Sequence, residues 1–77
     1  MDKRPVCDIA REIRKLWTKP YFGAVPYLEA MHDLMDASDN YGYDSGKSII
    51  LYFLSNATTW RGSDARRVKA ELKALVK

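Results

Sequence analysis

Apolar residues recur along this chain at helical spacing in four separate stretches. Val6, Ile9, Ala10, Ile13, Leu16 and Trp17 keep the three-and-four rhythm without a miss, which gathers them on one face of a helix. Pro5 suits the first position of that helix. Arg4, Arg11, Arg14 and Lys15 lie opposite the stripe, with Asp8 and Glu12 on its flank, and Pro20 predicts a stop near Thr18. After the aromatic connector Lys19-Pro20-Tyr21-Phe22-Gly23, a second helix opens around Pro26. Leu28, Met31, Leu34 and Met35 form its apolar stripe, Ala24 and Tyr27 stand at its start, and Glu29, Asp33 and Asp36 mark its outer face.

Residues 37–45 are dense in turn formers and read as a loop. The run Ile49-Ile50-Leu51-Tyr52-Phe53-Leu54 has the β-branched and aromatic content of a strand. A strand apolar on both faces needs neighbours on both edges, and no other segment reads as one. Taken as a helix, the run spreads Ile49, Ile50, Leu51, Phe53, Leu54 and Ala57 over a broad arc, with Ser48, Tyr52, Ser55 and Asn56 filling the rest. So wide an apolar face marks a central helix. Asp44 or Ser45 supplies its cap. Gly62 stops this helix and Ser63 caps the last one, in which Ala65, Val68, Leu72, Leu75 and Val76 face inward. Arg66, Lys69, Lys73 and Lys77 form a basic stripe beside that face, and Arg67 and Glu71 are expected to make an exposed pair. The expectation is an all-α fold: one domain over residues 1–77, a compact bundle of about four short helices.

Composition narrows the class. A chain of 77 residues, 47% apolar, holds one small core. Such a core leaves a net stability of only about 3–5 kcal/mol, so association into a homodimer is compatible with it. Cys7 is the single cysteine, which excludes an internal disulfide and fits a reducing compartment. The chain starts at Met1 and is expected to be a whole gene product. Its first residues are charged, no apolar signal segment follows, and Ile49–Leu54 is too short to span a bilayer. A soluble, cytoplasmic protein is expected. The net charge of +3 is unevenly spread: residues 1–23 carry six basic and three acidic side chains, residues 24–45 five acidic and no Lys or Arg, and residues 46–77 seven basic and two acidic.

Several motifs point to chemistry and fall short of it. Gly42-Tyr43-Asp44-Ser45-Gly46-Lys47-Ser48 resembles the tail of a phosphate-binding P-loop, but three residues stand between its glycines instead of four. Gly46 and Lys47 fit better as the start of the third helix, where an anion could sit. Asp36, Ser38, Asn40 and Asp44 hint at an EF-hand loop, yet Lys47 occupies the twelfth position in place of Glu. His32 is the single histidine, too few with one distant Cys for a typical zinc site. No cofactor or metal is expected, and no nucleophile constellation exists, so an enzyme is the least favoured class. A helix-turn-helix around residues 58–62 matches poorly, since Glu71 falls where a core residue belongs.

The nine aromatics are more telling than the charges. Tyr21, Phe22, Tyr41, Tyr43 and Trp60 fall in or beside loops, and together with Arg61 they have the composition of a protein interface. Tyr41 and Tyr43 are the favoured pair, since Trp60 is the larger ring and better suited to burial.

Tyr21-Phe22-Gly23-Ala24-Val25-Pro26-Tyr27-Leu28-Glu29-Ala30-Met31, Asp39-Asn40-Tyr41-Gly42-Tyr43-Asp44-Ser45-Gly46-Lys47-Ser48 and Trp60-Arg61-Gly62 together resemble small proteins encoded by tailed bacteriophages, mainly those infecting actinobacteria. The resemblance covers nearly the whole chain. It brings no activity and no site residue with it. What it implies is an origin, a host cytoplasm as the setting, and the habit of small phage products of binding host proteins. The leading expectation is thus a non-enzymatic phage accessory protein that binds a host or phage protein. The second is a small nucleic-acid-binding protein that uses Arg11, Arg14 and Lys15 of the first helix with Arg66, Lys69 and Lys73 of the last, and binds weakly.

Overall fold

The computed structural model describes residues 4–42 and 44–76, the side chain of Tyr41 excepted. Helix α1 (Val6–Leu16) buries Val6, Ile9, Ala10 and Ile13, as its spacing predicts. Pro5 is its cap residue rather than its first residue, and no side chain caps it. Its first amides bond instead to the segment after the second helix: Val6 N–H donates to the Met35 carbonyl at 3.0 Å and Cys7 N–H to that of Leu34 at 2.8 Å. The chain leaves the helix at Trp17, slightly before the stop expected near Thr18. Trp17 is buried, whereas Leu16, expected inside, is 38% exposed.

Phe22–Ala24 makes one 3-10 turn that leads into α2 (Val25–Met31), with Pro26 in its first turn where no amide partner is needed. Helix α2 is shorter than its apolar stripe predicts. After Met31 the backbone tightens: His32, Asp33 and Leu34 donate to carbonyls three residues back. The tighter winding keeps Leu34 buried but turns Met35, expected inside, out to 62% exposure.

The loop over residues 37–45 contains a pairing that its turn-rich composition does not announce. Strands β1 (Asn40–Tyr41) and β2 (Asp44–Ser45) pair antiparallel, Asn40 opposite Ser45 and Tyr41 opposite Asp44. Gly42 turns between them at φ +63°, a conformation suited to glycine. The two-residue strands leave the fold all-α.

Helix α3 (Gly46–Ser55) settles the ambiguous run as helix. Ser45 Oγ accepts from the Ser48 amide at 3.1 Å, the expected cap. The helix ends at Asn56, well before Gly62, where the backbone tightens: the Asn56 amide is shared between the Tyr52 and Phe53 carbonyls and the Ala57 amide donates three residues back to Leu54, while Ser55 Oγ and Asn56 Nδ2 add bonds to the Leu51 and Tyr52 carbonyls at 3.1 and 2.9 Å. Residues 56–62 form a connector too long for a helix-turn-helix. It buries Ala57 and Trp60. Gly62, at φ +112°, rather than Ser63, is the cap residue of α4 (Ser63–Leu75).

Helices α2 and α3 pack most closely, α1 lies against α2 and α4, and α3 touches α4. Phe53, fully buried, sits in the shared core with Ile9, Ile13, Leu28, Met31, Ile50, Val68 and Leu72, while Leu75 and Val76 cover its edge. The helical bundle expected from the sequence is the observed architecture.

Candidate functional site

The aromatic connector folds onto the ends of α2 and α3. Tyr21 is extended (φ −57°, ψ 131°), and its carbonyl accepts from the Ala24 amide at 2.8 Å to close the 3-10 turn. Its ring lies across Gly23: a β-carbon there would stand 2.6 Å from Tyr21 Cε2 and 3.0 Å from Asn56 Oδ1. A side chain at that position would push the Tyr21 ring aside. Tyr21 also packs on Phe22, with ring centroids 4.8 Å apart. Phe22 has almost no other cover and is 79% exposed.

Asn56 links this pair to a second one, since its amide holds the carbonyl of Tyr52 one turn earlier. The Tyr52 ring packs on Tyr27 of α2 at 5.4 Å between centroids. Tyr52 and its neighbour Leu51 are both exposed. These two ring pairs, Tyr21 with Phe22 and the half-buried Tyr27 with Tyr52, are the candidate aromatic surface at the junction of the connector with α2 and α3.

The other aromatic candidates lie elsewhere. Trp60 is buried, which removes it from the set of surface-binding residues. Its ring stacks on Trp17, and its carbonyl accepts from Lys69 Nζ at 2.6 Å. Arg61 beside it is exposed. Tyr41 belongs to the hairpin at the start of α3, so its backbone stands at the opposite end of that helix from Tyr21 and Phe22; its side chain, and Tyr43 altogether, fall outside the described residues. The six expected interface residues therefore do not form one patch. Tyr27 and Tyr52 were missed because each reads as the rim of an apolar face, and only the packing of α2 on α3 joins them.

The two basic faces are also separated. A seam of ion pairs joins α1 to α4. Arg4 donates to both carboxylate oxygens of Glu71, at 2.9 and 2.6 Å, and its Nη2 lies 2.8 Å from Glu12 Oε1. Arg67 donates to Glu12 Oε2 at 2.7 Å and stands 3.6 Å from Asp64. Arg67 and Glu71 thus take other partners than each other. Hydrogen bonds from Arg67 and then Arg4 hold the Glu12 carboxyl below its usual range. The guanidinium of Arg4 is made harder to deprotonate chiefly by Glu71, and that of Arg67 by Glu12.

On α1, Arg11 pairs with Asp8 at 2.8 Å and Arg14 reaches Glu29 at 3.7 Å, while Lys15 is exposed. On α4, Lys69 turns to Trp60, on the flank away from the seam, and Arg66 and Lys73 share that side by their spacing. The expected single surface of Arg11, Arg14 and Lys15 with Arg66, Lys69 and Lys73 is not formed, because Glu12 and Glu71 stand between.

The chemical hints in the loop serve the backbone. Asp39 Oδ2 accepts from the amides of Met35 and Asp36 at 3.0 and 3.1 Å, and Asp36 Oδ1 from the Ser38 amide at 2.9 Å. At the start of α3, the Gly46 amide donates to the Asp39 carbonyl and the Ser48 amide to Ser45, which takes up donors an anion would need. His32 follows α2 and is half-buried. Among the described residues, a concavity of about 120 Å³ lined by Arg4, Val6, Met35, Asp36, Ala37 and Leu75 is smaller than ordinary small-molecule sites. Another, of about 430 Å³, is open and walled by the charged side chains of α1 with Leu16. No helix among the described residues is long and apolar enough to cross a membrane.

Comparison with protein-family models, with curated proteins and with solved structures finds no match to this chain.

Proposed function

We propose that this protein works by binding another protein through the aromatic surface of Tyr21, Phe22, Tyr27 and Tyr52, as a non-enzymatic accessory protein of phage origin acting in the host cytoplasm. The observation that carries this reading is Phe22, 79% exposed on a folded turn and packed only against the exposed ring of Tyr21. Leaving so much apolar area in water is unfavourable by roughly 25 cal/mol per Å², and covering it with a partner recovers that energy. Rings held by short, well-packed turns lose little entropy on binding, which makes them good anchors.

The test compares wild type with Phe22→Ala and Tyr52→Ala in nuclease-treated host lysate, followed by reconstitution with the captured protein. Each substitution should weaken binding by about 2 kcal/mol or more, while melting temperature changes little. Equal capture by all three proteins, or a concentration-dependent dimer that loses its contact on Phe22→Ala, would replace the reading with non-specific adhesion or self-association respectively.

A further inference from the structure

The flank of α4 turned away from the seam carries positive charge that no ion pair neutralises among the described residues. Arg66, Lys69 and Lys73 follow one another at three- and four-residue spacing, and Arg61 comes in from the connector. Among the described residues, none of the four makes an ion pair, in contrast to Arg4, Arg11, Arg14 and Arg67. Lys69 is fixed in place: its ammonium donates to the Trp60 carbonyl at 2.6 Å and lies 5.9 Å from the centre of the Trp60 ring. Two of its N–H groups remain for a ligand. Burial lowers the pKa of Lys69, and so do the nearby charges of Lys73 and Arg61, so the three ammonium and guanidinium groups feel one another. An anion among them relieves that repulsion.

The surroundings decide which anion. The large exposed apolar side chains are Leu16, Tyr21, Phe22, Met35, Leu51 and Tyr52, and none is on α4. The only exposed apolar side chains of α4 are those of Ala70 and Ala74, beside the cations. A protein partner needs an apolar centre to its interface, whereas a phosphate backbone is held by cations alone. From Arg66 to Lys73 the helix rises about 10 Å at 1.5 Å per residue, the length along which one DNA strand presents about three phosphates at 3.4 Å each.

We infer that the outer flank of α4, with Arg61, Arg66, Lys69 and Lys73, is a docking stripe for the phosphate backbone of a nucleic acid, read without regard to sequence. It shares no residue with the aromatic surface and does not depend on it.

The probe is a fluorescein-labelled 16-base-pair DNA duplex of mixed sequence, titrated by anisotropy between 25 and 200 mM NaCl. The plot of log affinity against log salt should have a slope of about −3, a loss of roughly 60-fold between 50 and 200 mM. The double variant Arg66→Gln/Lys73→Gln removes two unpaired cations and no hydrogen bond, so its melting curve should match wild type while the slope flattens by about 2. Arg11→Gln/Lys15→Gln on α1 and Phe22→Ala should leave the slope as it is. The inference is overturned by absence of binding at 25 mM NaCl, by an equal flattening in the α1 variant, or by a polyglutamate peptide of matched charge competing as well as unlabelled duplex.

Discussion

The indole of Trp60 lies flat on that of Trp17, with centroids 5.5 Å apart and planes 9° from parallel, although neither residue belongs to a helix. The stack clasps the connector after α1 to the connector after α3. Trp17 in turn meets Phe53 edge-on at 6.2 Å, which ties both connectors to the centre of the core. Trp60→Ala should therefore cost about 3–5 kcal/mol in urea unfolding, as much as Phe53→Ala. Trp60→Phe, which keeps a ring in the slot, should cost far less than either. A loss below about 1 kcal/mol for Trp60→Ala would mean that the stack is peripheral to stability.

Acid should dissolve the seam between α1 and α4. Glu12 titrates below its usual range because of Arg67 and Arg4, so its pairing stabilises the folded state fully above the unfolded value of about 4.3. That contribution disappears as pH falls through the lower, folded value. Wild type should melt above Glu12→Gln at pH 7, and the gap should narrow progressively below about pH 4. A gap that stays constant to pH 2 would show that Glu12 acts by packing rather than by charge.

Arg4 and Glu71 form a two-pronged pair that an ammonium cannot reproduce. Arg4→Lys should lower stability by about 0.5–1 kcal/mol, the discounted scale of a half-exposed pair. Glu71→Gln combined with it should add less than it costs alone, since the two changes share the Arg4–Glu71 pair, while Arg4→Lys also alters the contact with Glu12. Additive losses in that double mutant would place the value of each residue elsewhere.

Gly46 has no room for a side chain. A β-carbon would stand 2.9 Å from the Ala37 carbonyl oxygen and 3.0 Å from those of Asp36 and Asp39, and backbone cannot swing aside as a side chain can. Gly46→Ala should cost about 1–3 kcal/mol despite the higher helix propensity of alanine. Gly62→Ala should destabilise for a different reason, the strain of φ +112° on a residue with a β-carbon in open space. Chemical denaturation of both variants checks this; a neutral Gly46→Ala would mean that the loop over residues 37–39 yields.

Local patterning carried much of the fold. The stripe from Val6 to Trp17 and that from Ala65 to Leu72 need only their own periodicity to be read, and the cap at Ser45 needs only its hydroxyl. The ends of α2 and α3 were not legible in the same way. Helix α2 gives way early where Leu34 and Met35 lend their carbonyls to α1, a partner roughly thirty positions back whose demand has no local signature. Helix α3 stops at Asn56 while the apolar pattern runs on to Ala57 and Trp60, because a buried turn and a helix bury the same residues. Within the candidate surface, Tyr21 and Phe22 stand out in sequence as rings in a proline-glycine connector. Tyr27 and Tyr52 are paired only through helix packing, and Trp60 is withdrawn by a stack with Trp17, a residue far back in the sequence.

The bond from Arg4 to Glu71 spans 67 positions, and that separation bears on how the protein is made. A ribosome adding about 5–20 residues per second delivers Glu71 several seconds after Arg4. Throughout that interval Arg4 and Glu12 lack their partners on α4, and at first the opening turn of α1 lacks the carbonyls that complete it. Its apolar face is then a target for chaperones and for neighbouring nascent chains. Vectorial synthesis thus leaves the final helix to act as the latch, and a stalled or truncated product lacking α4 would be an aggregation hazard rather than a smaller version of the same protein.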